Sequence, residues 1–245
     1  ILNKRTARQF GYGLTDEECI TQGIGIREGH AVGDGVYDFL PPTTLFTADE
    51  EERVIDGVRL KLVSAIGETD DQLFVWLPDD RILCCGDNYY ACWPNLYAIR
   101  GSQYRDIAAW LDSLSAIMSY HPDILLPGHT QPIFGREEIQ TVLCNFRDAI
   151  QSVLFQTLDC MNRGMDMLEA VSSVKLPEKY RDLPYLQEFY GTVSWTVKGI
   201  YAGYVGWFDG NPVHLDPVPE TEYSREILGL IGDISAVKAR IRELY

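Results

Sequence analysis

The sequence predicts a mixed α/β part followed by an all-helical part, divided near Gly135. Three observations carry this. Two pairs of short apolar runs are joined by turn residues. One helix-periodic segment then leads into a further short apolar run. Beyond Gly135 only helical periodicity remains.

The elements follow in order. Glu52–Ile55 and Val58–Ala65 flank Asp56-Gly57, a pair suited to a two-residue type I′ turn. In the second arm Val58, Leu60 and Leu62 alternate with Arg59 and Lys61, as in a half-buried strand. Leu73–Leu77 and Arg81–Cys85 flank Pro78-Asp79-Asp80, a second hairpin. Tyr104–Tyr120 is a helix, because Ile107, Trp110, Leu111, Leu114, Ile117 and Met118 fall on one face. Ile124–Leu126 is a short strand ended by Pro127-Gly128. This order suggests a sheet covered by helices on at least one face. After Gly135, a long amphipathic helix with Ile139, Val142, Phe146 and Ile150 runs to about Arg163-Gly164. Shorter helices follow over Asp166–Val174 and Tyr190–Tyr204, and a last one over Glu222–Tyr245.

Composition excludes several classes. The 245 residues hold 21 Lys+Arg against 36 Asp+Glu, a net charge of −15. That balance disfavours an extended nucleic-acid footprint or an anionic membrane surface. No apolar run approaches the ~18 residues of a bilayer span. The chain starts at Ile1 rather than Met, without a basic-plus-apolar leader, which reads as processing, trimming or engineering. Cys19, Cys84, Cys85, Cys92, Cys144 and Cys160 form no Cys-x-x-Cys pair and read mainly as buried thiols.

Potential metal ligands stand in three loops that directly follow strands. They are Gly67-Glu68-Thr69-Asp70, Gly86-Asp87-Asn88 and Gly128-His129-Thr130. Glycine permits the sharp turn that aims a ligand over the end of a sheet. Carboxylates and imidazole suit zinc, manganese or iron. Singly, each loop reads more readily as a turn former or a cap than as a ligand. Their order raises the weight of the metal reading.

With those loops, five segments resemble one family: GETDDQLFVWLPDDRILCCGDN (67–88), PNLYAIRG (94–101), YRDIAAWLDSL (104–114), LLPGHTQPIFG (125–135) and LPYLQEFYGTVSWTVKGIYAGYVGWFDGNP (183–212). They are similar to the alkyl sulfatase family of the metallo-β-lactamase superfamily, in its linear and secondary alkylsulfatase forms. The resemblance implies the C-terminal half of an αββα sandwich over 1–135 and a helical dimerisation domain over 136–245. It further implies two divalent metal ions, zinc foremost, which hold a bridging hydroxide that hydrolyses an alkyl sulfate ester to alcohol and inorganic sulfate. Asp87 matches the metal-bridging carboxylate, His129 the last histidine ligand and Glu68 the carboxylate after the first turn. Ile66 replaces a proline there, so Asp70 is the alternative to Glu68. Asn95 and Arg100 match positions that bind sulfate, and Tyr190 and Tyr204 are expected to reach the pocket.

The departures are specific. The family's first ligands come from a His-x-His-x-Asp-His motif, whereas this sequence has only His30, His121, His129 and His214. A second polypeptide or a missing segment is therefore expected to carry that motif, and the chain alone is expected to be inactive. Trp195 stands where long-chain-specific members carry a histidine implicated as proton donor, and Phe10-Gly11 where Tyr-Gly is common; no catalytic proton donor is assigned, Tyr190 and Tyr204 being the candidates for a catalytic role. The expected partners are a second copy through the helical domain and an alkyl sulfate, with no nucleic acid. The family leans toward a periplasmic or secreted protein. Two other readings stay open: a dinuclear hydrolase of thioesters or phosphoesters, and a non-catalytic dimeric assembly protein.

Overall fold

The computed structural model describes residues 40–97 and 103–244. A six-stranded sheet runs in sequence order: β1 (Glu50–Ile55), β2 (Val58–Ser64), β3 (Leu73–Leu77), β4 (Ile82–Gly86), β5 (Ile124–Pro127) and β6 (Ile133–Phe134). Neighbours are antiparallel except β4 and β5, which are parallel and are joined through helix α1 (Ile107–Ser119). The first turn has positive φ at both Asp56 (50°) and Gly57 (82°), the type I′ geometry that matches strand twist.

Sheet register sorts the side chains onto two faces. Phe74, Trp76, Leu83, Cys85 and Leu125 share one face and are buried. Tyr120, which caps α1, meets Phe74 and Trp76 edge-on at 5.1 and 5.6 Å. On the opposite face Leu62, Val75, Ile82, Cys84, Ile124 and Leu126 are half-buried. The alternation expected in β2 therefore comes out with Leu60 and Leu62 on that half-buried face. Val63 and the Lys61 stem turn toward α1, the ammonium lying over the Tyr120 ring.

Helix α1 starts at Ile107, three residues after the expected start, because the Asp106 side chain accepts from Ala109 N and caps it. It buries Trp110, Leu114 and Ile117, each worth about 1.5–3 kcal/mol of apolar burial. Helix α2 (Arg136–Asn162) shares this core: Phe146 meets Tyr89 edge-on at 5.0 Å. Gly164, at φ 74°, ends α2 as expected. Helices α3 (Met167–Ser173), α4 (Glu178–Arg181) and α5 (Val193–Val205) follow. A complete capping box on Asp166 opens α3.

Two compact units are distinguished, one ending at Tyr204 and the other Val205–Tyr245. The second holds α6 (Glu220–Ile231) and α7 (Ile234–Leu244). One continuous helix was expected there. Gly232 at φ 77° closes α6, and Asp233 accepts from Ser235 N to start α7. Leu230, Ile231, Ile234 and Ile241 on these helices are exposed. No helix among the described residues is long and apolar enough to cross a membrane.

Candidate functional site

The parallel pair β4–β5 ends in the two loops that carry Asp87 and His129. Gly128 N donates to Gly86 O at 2.8 Å, so the two loops leave the sheet side by side. His129 Nδ1 then lies 2.7 Å from Asp87 Oδ1. With hydrogen on Nδ1, the imidazole donates to Asp87 and keeps its Nε2 lone pair for a metal. Asp87 is mostly covered, whereas His129 is open to solvent.

Tight packing holds these loops. A Cβ on Gly128 would stand 2.5 Å from Asp87 Oδ1, and one on Gly67 only 1.7 Å from Asn88 Oδ1. Asn88, fully buried, donates through Nδ2 to Ala65 O at 3.0 Å and ties the end of β2 to the end of β4. Helix α1 grips the loops of Asp87 and Glu68: Trp110 Nε1 donates to Asn88 O at 2.9 Å and Ser113 Oγ to Ile66 O at 2.8 Å.

Glu68 is held on the far side by an ion pair, Arg105 Nη2 to Glu68 Oε1 at 2.8 Å. Burial raises the Glu68 carboxyl above the ordinary value; the Arg105 guanidinium opposes this, and the nearby Asp87 charge adds to the rise. Arg105 also donates through Nη1 to Asn95 O, and Asn95 N donates to Tyr90 Oη at 3.0 Å. The Tyr90 ring is edge-on to Tyr190 at 6.0 Å and to His129 at 6.5 Å. Desolvation pushes the buried Tyr90 phenol well above its usual range, so it stays protonated.

The predicted residues thus sort clearly. Asp87 and His129 are in contact, and Glu68 is near enough to Asp87 to feel its charge. Asn95 and Tyr190 reach the same cluster through Tyr90. Asp70 is exposed in the turn after Glu68. Tyr204 sits on α5, half exposed, edge-on to Tyr104 at 6.1 Å. Arg100, His30, Cys19 and Phe10-Gly11 lie outside the described residues. Sequence reasoning missed Arg105 and Tyr90; the Arg immediately before the α1 cap was visible, but its partner 37 positions earlier was not.

A carboxylate oxygen beside an imidazole nitrogen is a fitting start for a zinc site. Among the described residues, however, no group of three His, Cys, Asp or Glu is close enough to hold a metal. Glu68 has one oxygen committed to Arg105, which leaves the other available. The donors fit in kind and fall short in number.

Residues 166–245 match the alkyl sulfatase dimerisation family. A linear primary-alkylsulfatase from Pseudomonas sp. is 37% identical, with 100% of this chain and 46% of that protein aligned. An alkyl/aryl-sulfatase from Saccharomyces cerevisiae is 30% identical over 98% of this chain and 37% of its own length. Among solved structures, the stereoselective inverting sec-alkylsulfatase Pisa1 from Pseudomonas sp. superposes with a TM-score of 0.85 at 26% identity. That match covers 99% of this chain and 39% of the other. The chain spans less than half the length of each of these relatives.

Proposed function

Because the chain belongs to the alkylsulfatase family, we propose that it supplies part of the site at which an alkyl sulfate ester is hydrolysed to an alcohol and inorganic sulfate. The observation that carries this reading is the contact of Asp87 with His129, with Glu68 near enough to feel the Asp87 charge and tied to Asn95 through Arg105. Asp87, His129 and Glu68, with Asp70 as the alternative to Glu68, would hold divalent ions, zinc foremost. Such ions, when bound, bring the pKa of water down toward neutrality and so supply the nucleophile. The ligands that complete the set come from a polypeptide segment carrying the His-x-His-x-Asp-His motif, which is not in this sequence.

The chain's own residues bind and orient the ester. Asn95 and Arg100 bind the sulfate oxygens, Arg100 as a planar, permanently charged fork. In a chain of net charge −15 the anion site is made locally, by Arg100 and the metal ions. The Tyr190 ring, packed on Tyr90, and Tyr204 on α5 form the apolar wall along the alkyl chain. Trp195, on α5, carries only an indole N–H and cannot exchange a proton at neutral pH. The match over 166–245 supports dimer formation, and the exposed apolar stripe of α6 and α7 is the surface a second copy would cover.

Assay of sulfate release from alkyl sulfates by the full-length protein, in parallel with thioester and phosphodiester cleavage, tests the reading. Sulfate release is expected. Its absence, with cleavage of either other ester, would replace the reading.

A further inference from the structure

We propose that Arg105 is a positioning residue that fixes the spacing between the loop carrying Glu68 and the loop carrying Asn95; the inference rests on the function proposed above. One guanidinium edge pairs with Glu68 at 2.8 Å, and another N–H donates to the main-chain oxygen of Asn95. The main-chain N–H of Asn95 is meanwhile held by Tyr90 Oη at 3.0 Å. Both polar main-chain atoms of Asn95 are therefore occupied, and neither flanking peptide plane can turn without breaking a buried bond. The base of the Asn95 side chain is set by Arg105 and Tyr90 together.

Stability alone explains this arrangement poorly. The Arg105 side chain is only 8% exposed, and its Nε is buried without a hydrogen-bond partner among the described residues. Burying an ion pair costs desolvation, and an orphaned donor adds to that cost, so an apolar pair would hold two loops at lower cost. What an apolar pair lacks is the planar fork, which spans a carboxylate and a carbonyl at fixed angles. The fork is mounted rigidly, because Arg105 directly precedes Asp106, the cap of α1. That same helix grips the loops of Asp87 and Glu68 through Trp110 and Ser113. Arg105 thus puts Glu68 and Asn95 on one rigid support.

The test uses the full-length protein with Arg105→Lys and Arg105→Gln. It reads kcat and KM for octyl sulfate, Zn²⁺ affinity by chelator competition, and thermal unfolding. Loss of a residue that supports a ligand is expected to lower kcat/KM by about 10–100-fold, with KM raised as Asn95 loosens and Zn²⁺ affinity reduced by a similar factor. Arg105→Lys keeps the charge and loses the fork, so it should recover thermal stability without recovering kcat/KM. Should Arg105→Gln not fold, Arg105→Lys carries the test by itself. Variants with unchanged kcat/KM and Zn²⁺ affinity and only a lower melting temperature would overturn the proposal. A wild type that binds Zn²⁺ but releases no sulfate would remove the functional reading alone, and the change in Zn²⁺ affinity would still decide the role of Arg105. A wild type that does neither overturns both.

Discussion

His129 Nδ1 lies 2.7 Å from Asp87 Oδ1, although 42 residues separate the two in the chain. The contact is a product of topology. A parallel pair, β4 and β5, points both strand ends the same way, and the crossover through α1 makes that pairing possible. Two polar residues at neighbouring strand ends then meet over the edge of the sheet, where the chain turns and solvent is available.

The close approach of these loops makes two glycines sensitive. A Cβ at Gly67 would fall 1.7 Å from Asn88 Oδ1, and one at Gly128 2.5 Å from Asp87 Oδ1. Gly67→Ala should destabilise the protein by roughly 1–3 kcal/mol or more, because the displaced Asn88 is buried and bonded. Gly128→Ala should disturb Asp87 more than global stability, since the closest atom, Asp87 Oδ1, belongs to a partly exposed side chain. Gly57→Ala meets nothing within 4 Å and isolates the cost of positive φ alone. Urea unfolding of the three variants should rank Gly67→Ala as the most damaging.

Asp123 joins three elements and should show it in pH dependence. It accepts from Arg136 Nη2 at 2.8 Å and from Arg81 Nε at 3.0 Å, linking the starts of α2, β4 and β5. The Arg136 bond foremost, then Arg81, holds its carboxyl below the ordinary value of 3.8. A carboxyl lowered in the folded state contributes stability above its unfolded pKa, and that stability is lost as pH falls through the folded pKa. Asp123→Asn should therefore melt slightly below wild type at neutral pH, the gap closing as pH drops below 3.8. All three side chains are about half exposed, so salt should shrink the gap as well. Melting curves across pH at two ionic strengths check both parts.

The thiols should report the fold directly. Cys85 is buried on the covered face of the sheet, and desolvation pushes its thiol up to about 12. Cys84, its neighbour, points to the opposite, half-buried face. Because the thiolate is the reactive form, Cys85 should resist alkylation at neutral pH until the protein unfolds. Mass spectrometry of native and urea-treated samples should find Cys85 modified only in the second, with Cys84 slower than a free thiol yet faster than Cys85.

Much of the fold was legible in local patterns. Asp56-Gly57 announced its turn, and the LFVWL run is β3 residue for residue. The helical stripe of α1 gave its buried face, including Trp110 and Leu114. Signals longer than one element were harder. The pairing of Arg105 with Glu68 spans 37 positions and leaves no periodic trace. β6 has two residues, too few for any alternation to register. The stripe from Ile227 to Ile241 continued through Gly232, so periodicity alone joined α6 to α7 across a residue whose positive φ separates them. In the site, glycine beside a ligand type pointed to Asp87, His129 and Glu68. The buried Tyr90 and Asn88 behind them looked like ordinary core and turn residues.

Metal content tests whether Asp87 and His129 are metal ligands. Elemental analysis of the purified full-length protein should find about two divalent ions per protomer, with zinc predominant. Asp87→Ala and His129→Ala should each lower that content, and any fall in melting temperature should track the metal that is lost. A full-length protein with no stoichiometric metal, or one whose metal content ignores both substitutions, would contradict the account.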